Sequence, residues 1–230
     1  MTKPDVNKTM KRSKIIVEVA NGNKKLTDAL FELKILLSDL GSSEIISWID
    51  SELSGYKDDN IPAYREFDGI LFGNTLQAGR LVRRNMAIPI KSEHSDCTHV
   101  KLRDNITAIE GFEKREDKSD LSISVNAILA NAVAAYNPEA YCEINNAWIK
   151  IPLSKYTDIL NAVKSRVLDI LLMLEKKYGN LDGYTIDFGK KEERDEISQI
   201  VINIIHNDNS ISMGDNNKIS KSTIGESNGS

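Results

Sequence analysis

The sequence predicts an α+β fold: an N-terminal helical hairpin, a small glycine-punctuated sheet, a long C-terminal helix, then a low-complexity, β-prone tail. Three observations carry this. Leu26, Leu30, Leu33, Leu37 and Leu40 step four-three-four-three, the spacing of one helical stripe. Between residues 64 and 83, apolar residues are interrupted by Gly69, Gly73 and Gly79, the pattern of short strands with bulges or turns. Leu153, Tyr156, Leu160, Val163, Val167, Ile170 and Leu174 step three-four throughout, which is three heptads of a and d positions.

Taken in order, residues 1–13 are polar and without period, and are expected to be disordered. The run KIIVEVA at 14–20 is too short for periodicity to separate helix from strand, and is read as a short helix packed on the next. The leucine stripe ends at Gly41, where a left-handed cap belongs, and Ser42 and Ser43 can open a second helix, SSEIISWIDSEL. Its expected stripe is Ile45, Ile49 and Leu53, widened by Ile46 and Trp48, and Gly55 is its stop. So short a connection makes the two helices an antiparallel hairpin. Pro62 then blocks helix, and the glycine-spaced strands follow. Ala87 to Ile90 reads as an edge segment and 91–99 as a polar loop. Val100 to Glu113 returns to helical spacing through Leu102, Ile106, Ile109 and Phe112. Lys114 to Asp120 is a charged loop, Ala127 to Tyr136 an alanine-rich helix, and Tyr141 to Ile151 a strand or tight hairpin around Asn145-Asn146. The heptad helix is expected over 154–178, capped by Ser154 and stopped by Gly179. It suits the core of a monomer, and the same stripe would serve a partner subunit. The folded domain is thus placed at 14–180, with a linker at 181–196 and an Asn/Ser/Gly-rich tail at 197–230.

Composition narrows the function. The 230 residues carry 30 Lys+Arg against 34 Asp+Glu, a formal net charge of −4, which makes a free-standing nucleic-acid binder unexpected. No apolar run approaches the length of a membrane span, and no signal-peptide core follows the basic N-terminus, so a cytoplasmic protein without a membrane partner is expected. Two cysteines, Cys97 and Cys142, make no disulfide framework, which agrees with a reducing compartment. His94, Cys97 and His99 could be three zinc ligands, but no fourth ligand, CxxC pair or HExxH accompanies them, so no metal or cofactor is expected. No Walker-A loop or GxSxG elbow is present, and no catalytic residue can be named.

The tail NDNSISMGDNNKISKSTIGESNGS has its own pattern. Ile211 and Met213 alternate with serines, Gly214-Asp215-Asn216-Asn217 is a turn signal, and Ile219 and Ile224 continue beyond it. Its polarity permits disorder. Its period of two permits a β-arc that stacks on copies of itself, with Ile211, Met213, Asn216, Asn217, Ile219 and Ile224 as the self-association residues and a homo-oligomer as the result.

The segments WIDSELSGY and IPAYR resemble the N-terminal signature of the AbiTii domain family, found in bacterial abortive-infection and anti-phage contexts. Trp48, Glu52, Leu53, Gly55, Tyr56, Pro62, Tyr64 and Arg65 carry the match, and Gly69 and Gly73-Asn74 fit the strands after it. IKIPLSKYTDILNAVKSRVLDILLMLEKKYG resembles the family's closing strand-to-helix unit through Ile151-Pro152, Ile159-Leu160, Val163, Arg166, Leu168 and Leu174-Glu175. The resemblance spans about 14–180, with 91–140 matching in outline. It implies a defence role without a catalytic mechanism. The reading that follows is an interaction or sensing module with a self-associating tail and a protein partner from the same defence system; the alternative is a toxin-like effector enzyme such as a nuclease. Within the signature, Gly55 should stop the helix, Tyr56 fold back on it, and Arg65 pair with Glu52 to fix helix to sheet. If these residues instead bind a ligand, Glu52, Tyr56, Tyr64 and Arg65 are the cluster that does so.

Overall fold

A computed structural model of the chain describes residues 11–77, 79–116, 121–135 and 143–206. The fold is mixed α/β, with a small sheet and a long central helix, as the sequence predicts. Helix α1 (Lys14–Ala20) leads into α2 (Leu26–Leu37), and a 3-10 turn over Ser38–Leu40 closes it. Gly41 turns the chain at φ 77°, and α3 (Ser43–Ser54) runs back to Gly55, at φ 88°. The leucine stripe is fully interior: Leu30 and Leu33 are 0% exposed. On α3 the buried face is Ile45, Trp48, Ile49 and Glu52, whereas Leu53 is only partly buried. The inward face therefore continues through a carboxylate rather than through the leucine beside it.

Strands β1 (Glu66–Asp68) and β4 (His99–Lys101) form a two-stranded antiparallel ribbon. Strands β2 (Ile70–Gln77), β3 (Arg80–Ala87), β5 (Leu121–Val125) and β6 (Glu143–Ile151) form an antiparallel sheet in the order β3-β2-β6-β5. Bulges interrupt β2 near Asn74, where β3 carries Asn85 at φ 49°. Gly73 is required there: a Cβ would stand 2.8 Å from the Asn146 carbonyl oxygen. Leu71, Ala147, Ile149 and Ile151 point to the helices and join their core.

Helix α4 (Ile106–Glu113) and helix α5 (Ala127–Val133) are short, and each is capped by an Asn side chain that accepts a backbone N–H. Helix α6 (Leu153–Tyr178) is the axis of the molecule and packs against α1, α2 and α4. Every heptad position from Tyr156 to Leu174 is buried, and so are Ile159, Leu171 and Met173, so the helix is enclosed on most sides. Helix α7 (Lys191–His206) packs on α3 and α6.

The structure corrects the sequence reading at several places. The predicted helix over 100–113 begins only at Ile106; His99 to Lys101 pair with β1, and Leu102 matched the helical spacing by coincidence. Of the two readings for the segment ending at Ile151 the strand holds: Glu143–Ile151 is paired on both sides. Strand β5 was not foreseen. Helix α6 starts at Leu153 with Pro152, not Ser154, in the cap position. The stretch assigned as a linker at 181–196 is packed: Leu181, Ile186 and Phe188 are buried, and α7 begins at Lys191 and buries Ile197, Val201, Ile204 and Ile205. Its charged first turns conceal an apolar stripe that starts only at Ile197. Residues 11–13 are ordered rather than disordered, because the Ser13 N–H and hydroxyl donate to Glu175 Oε1 at 2.6 and 2.7 Å and Arg12 pairs with Glu175. Residues 1–10 and the tail from 207 lie outside the described residues, and with them Ile211, Met213, Asn216, Asn217, Ile219 and Ile224. No helix among the described residues is long and apolar enough to cross a membrane.

Candidate functional site

Glu52, Tyr56, Tyr64 and Arg65 come together where α3 meets the chain entering β1. Gly55 makes this possible. Its positive φ lets the chain leave α3 and pass against Arg103, whose carbonyl oxygen would lie 2.8 Å from an added Cβ. Tyr56 then donates its backbone N–H to that carbonyl and folds back along the helix. Pro62 holds the chain extended before the turn that delivers Tyr64 and Arg65.

The Glu52 carboxylate is completely enclosed. Its Oε1 accepts the Tyr56 hydroxyl at 2.7 Å, the Tyr64 hydroxyl at 2.6 Å and Arg65 Nε at 3.2 Å. Its Oε2 pairs with Arg65 Nη2, and both side chains are 0% exposed. Arg65 Nη1 donates onward to the carbonyls of Leu102 and Asp104 at 3.1 and 2.7 Å, tying α3 to the segment that precedes α4. Burial, reinforced by the Glu52 charge, holds both tyrosine hydroxyls far above the ordinary phenol range. Burial also opposes the Arg65 cation, yet Glu52 outweighs it and the guanidinium is raised. The network contains two further members that sequence reasoning did not place in it. Trp48 Nε1 donates to the Tyr64 oxygen at 3.0 Å, and the Arg166 guanidinium lies 4.3 Å from the Tyr64 ring centroid. Trp48 stands four residues before Glu52, so the helical period was the signal that could have found it. Arg166 also donates Nε to the Ile205 carbonyl at 2.9 Å, which fastens the last turn of α7 to α6.

A cleft of about 280 Å³ opens beside this network, lined by Trp48, Tyr56, Ile61, Pro62, Glu44 and His206 among others. His206 Nε2 lies 2.9 Å from Glu44 Oε1. At the metal candidates, His99 faces Asp68 at 3.0 Å and Glu66 at 3.2 Å, contacts that raise its pKa. Among the described residues no three His, Cys, Asp or Glu side chains stand where they could hold one ion.

The arrangement defines a class: an α/β domain whose signature residues lock helix to sheet through a buried, mutually satisfied ion pair. That class has a name in the comparison with family models, where AbiTii matches residues 13–199. The chain belongs to the AbiTii family, and the family suggests an abortive-infection, anti-phage role. No curated protein and no solved structure matches the chain.

Proposed function

We propose that this protein acts in anti-phage defence as an interaction or sensing module whose C-terminal tail self-associates. One observation carries the preference over a toxin-like enzyme: the signature carboxylate and cation are engaged with each other and with two tyrosines, which leaves neither free to act on a substrate. A general base or nucleophile needs an open coordination position and a pKa matched to its task. In this reading the α/β body recognises a protein partner or a phage-derived signal. The tail supplies assembly through Ile211, Met213, Ile219 and Ile224, with Asn216 and Asn217 at the turn. Its period-two apolar residues gain burial only from neighbouring copies.

The packed position of α7 fixes how this is tested. The tail must be removed after His206, because a cut at 196 also strips Ile197, Val201, Ile204 and Ile205 from the core. Phage plating is compared for the full chain, the chain ending at 206, and a variant with Ile211, Ile219 and Ile224 changed to Asp. Light scattering gives the mass of each. Loss of protection together with a fall in mass supports the proposal. Full protection with unaltered mass reduces the tail to a passive extension.

A further inference from the structure

The four-stranded sheet has two unlike faces. One joins the helical core. On the other, the register sets Ala87 of β3, Phe72 of β2, Trp148 of β6 and Ser124 of β5 side by side in one row across the sheet. The row reads small, aromatic, aromatic, small. Phe72 and Trp148 are half-buried and stand outside the core cluster, while Ala87 and Ser124 are exposed and too short to cover them. In the next row Lys150 lies between the exposed Ile70 and Ser122, and its ammonium is 4.0 Å from the Phe72 ring centroid. Edge strand β3 adds the exposed Arg84, and no carboxylate among the described residues pairs with it; Arg83, opposite the buried Thr75, and Arg80, opposite Gln77, belong to the other face. Among the described residues of the four strands, Glu143, opposite Leu76, is the acidic residue on this face, at the end remote from Lys150.

Stability does not call for this arrangement. An outward sheet face is well served by polar residues, and the two central strands instead place aromatic rings in register next to a cation. Adjacent aromatic rings on an open sheet, with a cation beside them and another on the edge strand, are the elements that hold unpaired nucleotides: bases stack on the rings and phosphates meet the cations. A duplex hides its base faces and cannot use the rings. The net charge of −4 describes the whole surface, whereas binding depends on the charge near the rings, where cations predominate.

We propose that the open face of the sheet, centred on Phe72 and Trp148 with Lys150, binds single-stranded nucleic acid. This inference is independent of the role of the tail, and the platform would operate in a chain ending at 206.

The test uses the full chain and fluorescein-labelled oligo-dT and oligo-U of about ten nucleotides, against a duplex of equal length, at low salt. Anisotropy reports binding, and Trp148 reports stacking, because the other tryptophan, Trp48, is buried at 7% exposure. The expected result is single-strand binding with quenched tryptophan emission. Phe72→Ala and Trp148→Ala should each weaken it by about 10- to 100-fold, the range of one stacked base. Trp148→Phe should retain most of the affinity, and Lys150→Gln should lower the salt slope by about 0.7, one phosphate on a single strand. Thermal melts accompany every variant; should an alanine variant unfold, Lys150→Glu and Trp148→Phe carry the test. Absence of binding, equal affinity for the duplex, affinity indifferent to both aromatic substitutions, or preference for a poly-glutamate peptide over the oligonucleotides would each overturn the proposal.

Discussion

Separating Glu52 from Arg65 should be among the most damaging perturbations available in this protein. Both side chains are fully enclosed, so removing either leaves an uncompensated charge in the interior. Such removals cost about 3–5 kcal/mol. In Glu52→Leu the Tyr56 hydroxyl also loses its acceptor at 2.7 Å, which adds about 1 kcal/mol or more. The single variant should therefore lose about 4 kcal/mol or more, a fall in melting temperature of roughly 8–16 °C for a domain of this size. Arg65→Met should lose about 3 kcal/mol, since Glu52 keeps its two tyrosine donors. The double variant places apolar groups on both sides and strands no charge. Its loss should fall short of the summed singles by about 2 kcal/mol or more. Urea unfolding followed by circular dichroism supplies all four corners of the cycle. Single losses under about 1 kcal/mol, or strict additivity, would show that the pair is not the joint described here.

Further outcomes follow from the same structure. Gly55→Ala should destabilise by about 1 kcal/mol more than Gly41→Ala, because both are at positive φ but only Gly55 would press a Cβ on a backbone carbonyl; equal losses in denaturant melts would refute this. Leu30→Ala should cost about 2–4 kcal/mol and Leu53→Ala clearly less, since the second is only partly buried; urea midpoints in the reverse order would contradict the assigned faces. Glu175 is held below the usual carboxylate range: burial opposes its charge, but the Ser13 backbone N–H and hydroxyl and the Arg12 guanidinium outweigh it. A depressed carboxylate contributes stability above its unfolded pKa of 4.5 and loses it as pH falls through the lower folded value. Glu175→Gln should therefore flatten the acid limb of the stability profile, and an unchanged limb would be the contrary result. His99, raised chiefly by Asp68 and next by Glu66, should titrate above 6.5 by proton NMR, and Asp68→Asn should bring it down; indifference to that change would dismiss the contact.

Much of the fold could be read from residue spacing because its strongest elements are amphipathic over many turns. The heptads of α6 and the leucines of α2 repeat often enough to overrule local noise, and Gly41, Gly55 and Gly179 mark stops that the backbone obeys with positive φ. The pairing of Glu52 with Arg65 was legible through the signature residues, whereas the helical stripe of α3 pointed to Leu53 rather than Glu52 as its inward member. What failed was short or masked by charge. Strand β5, Leu-Ser-Ile-Ser-Val, has only five residues, too few for its alternation to stand out. Strand β4 was absorbed into a helix because Leu102, Ile106 and Ile109 share a helical spacing by chance. Helix α7 opens on KEERDE, which favours a helix N-terminus by placing acids there but reads as solvated linker until Ile197 begins the buried face. The part of Arg166 in the signature network depends on α6 passing beside the turn over Ala63–Arg65, and nothing in local sequence encodes that crossing.

The hold of Arg166 on the Ile205 carbonyl bears on how force would travel through an assembly. Residue 206 ends the described body, and the carbonyl just before it is gripped by a guanidinium that also lies on Tyr64, whose hydroxyl rests on Glu52. A pull on the end of α7 thus reaches the helix–sheet joint through three successive non-covalent contacts. Traction arriving at the end of α7 would load the signature network, so displacement of α7 and loosening of the joint would be one event mechanically, with Arg166 as the link between them.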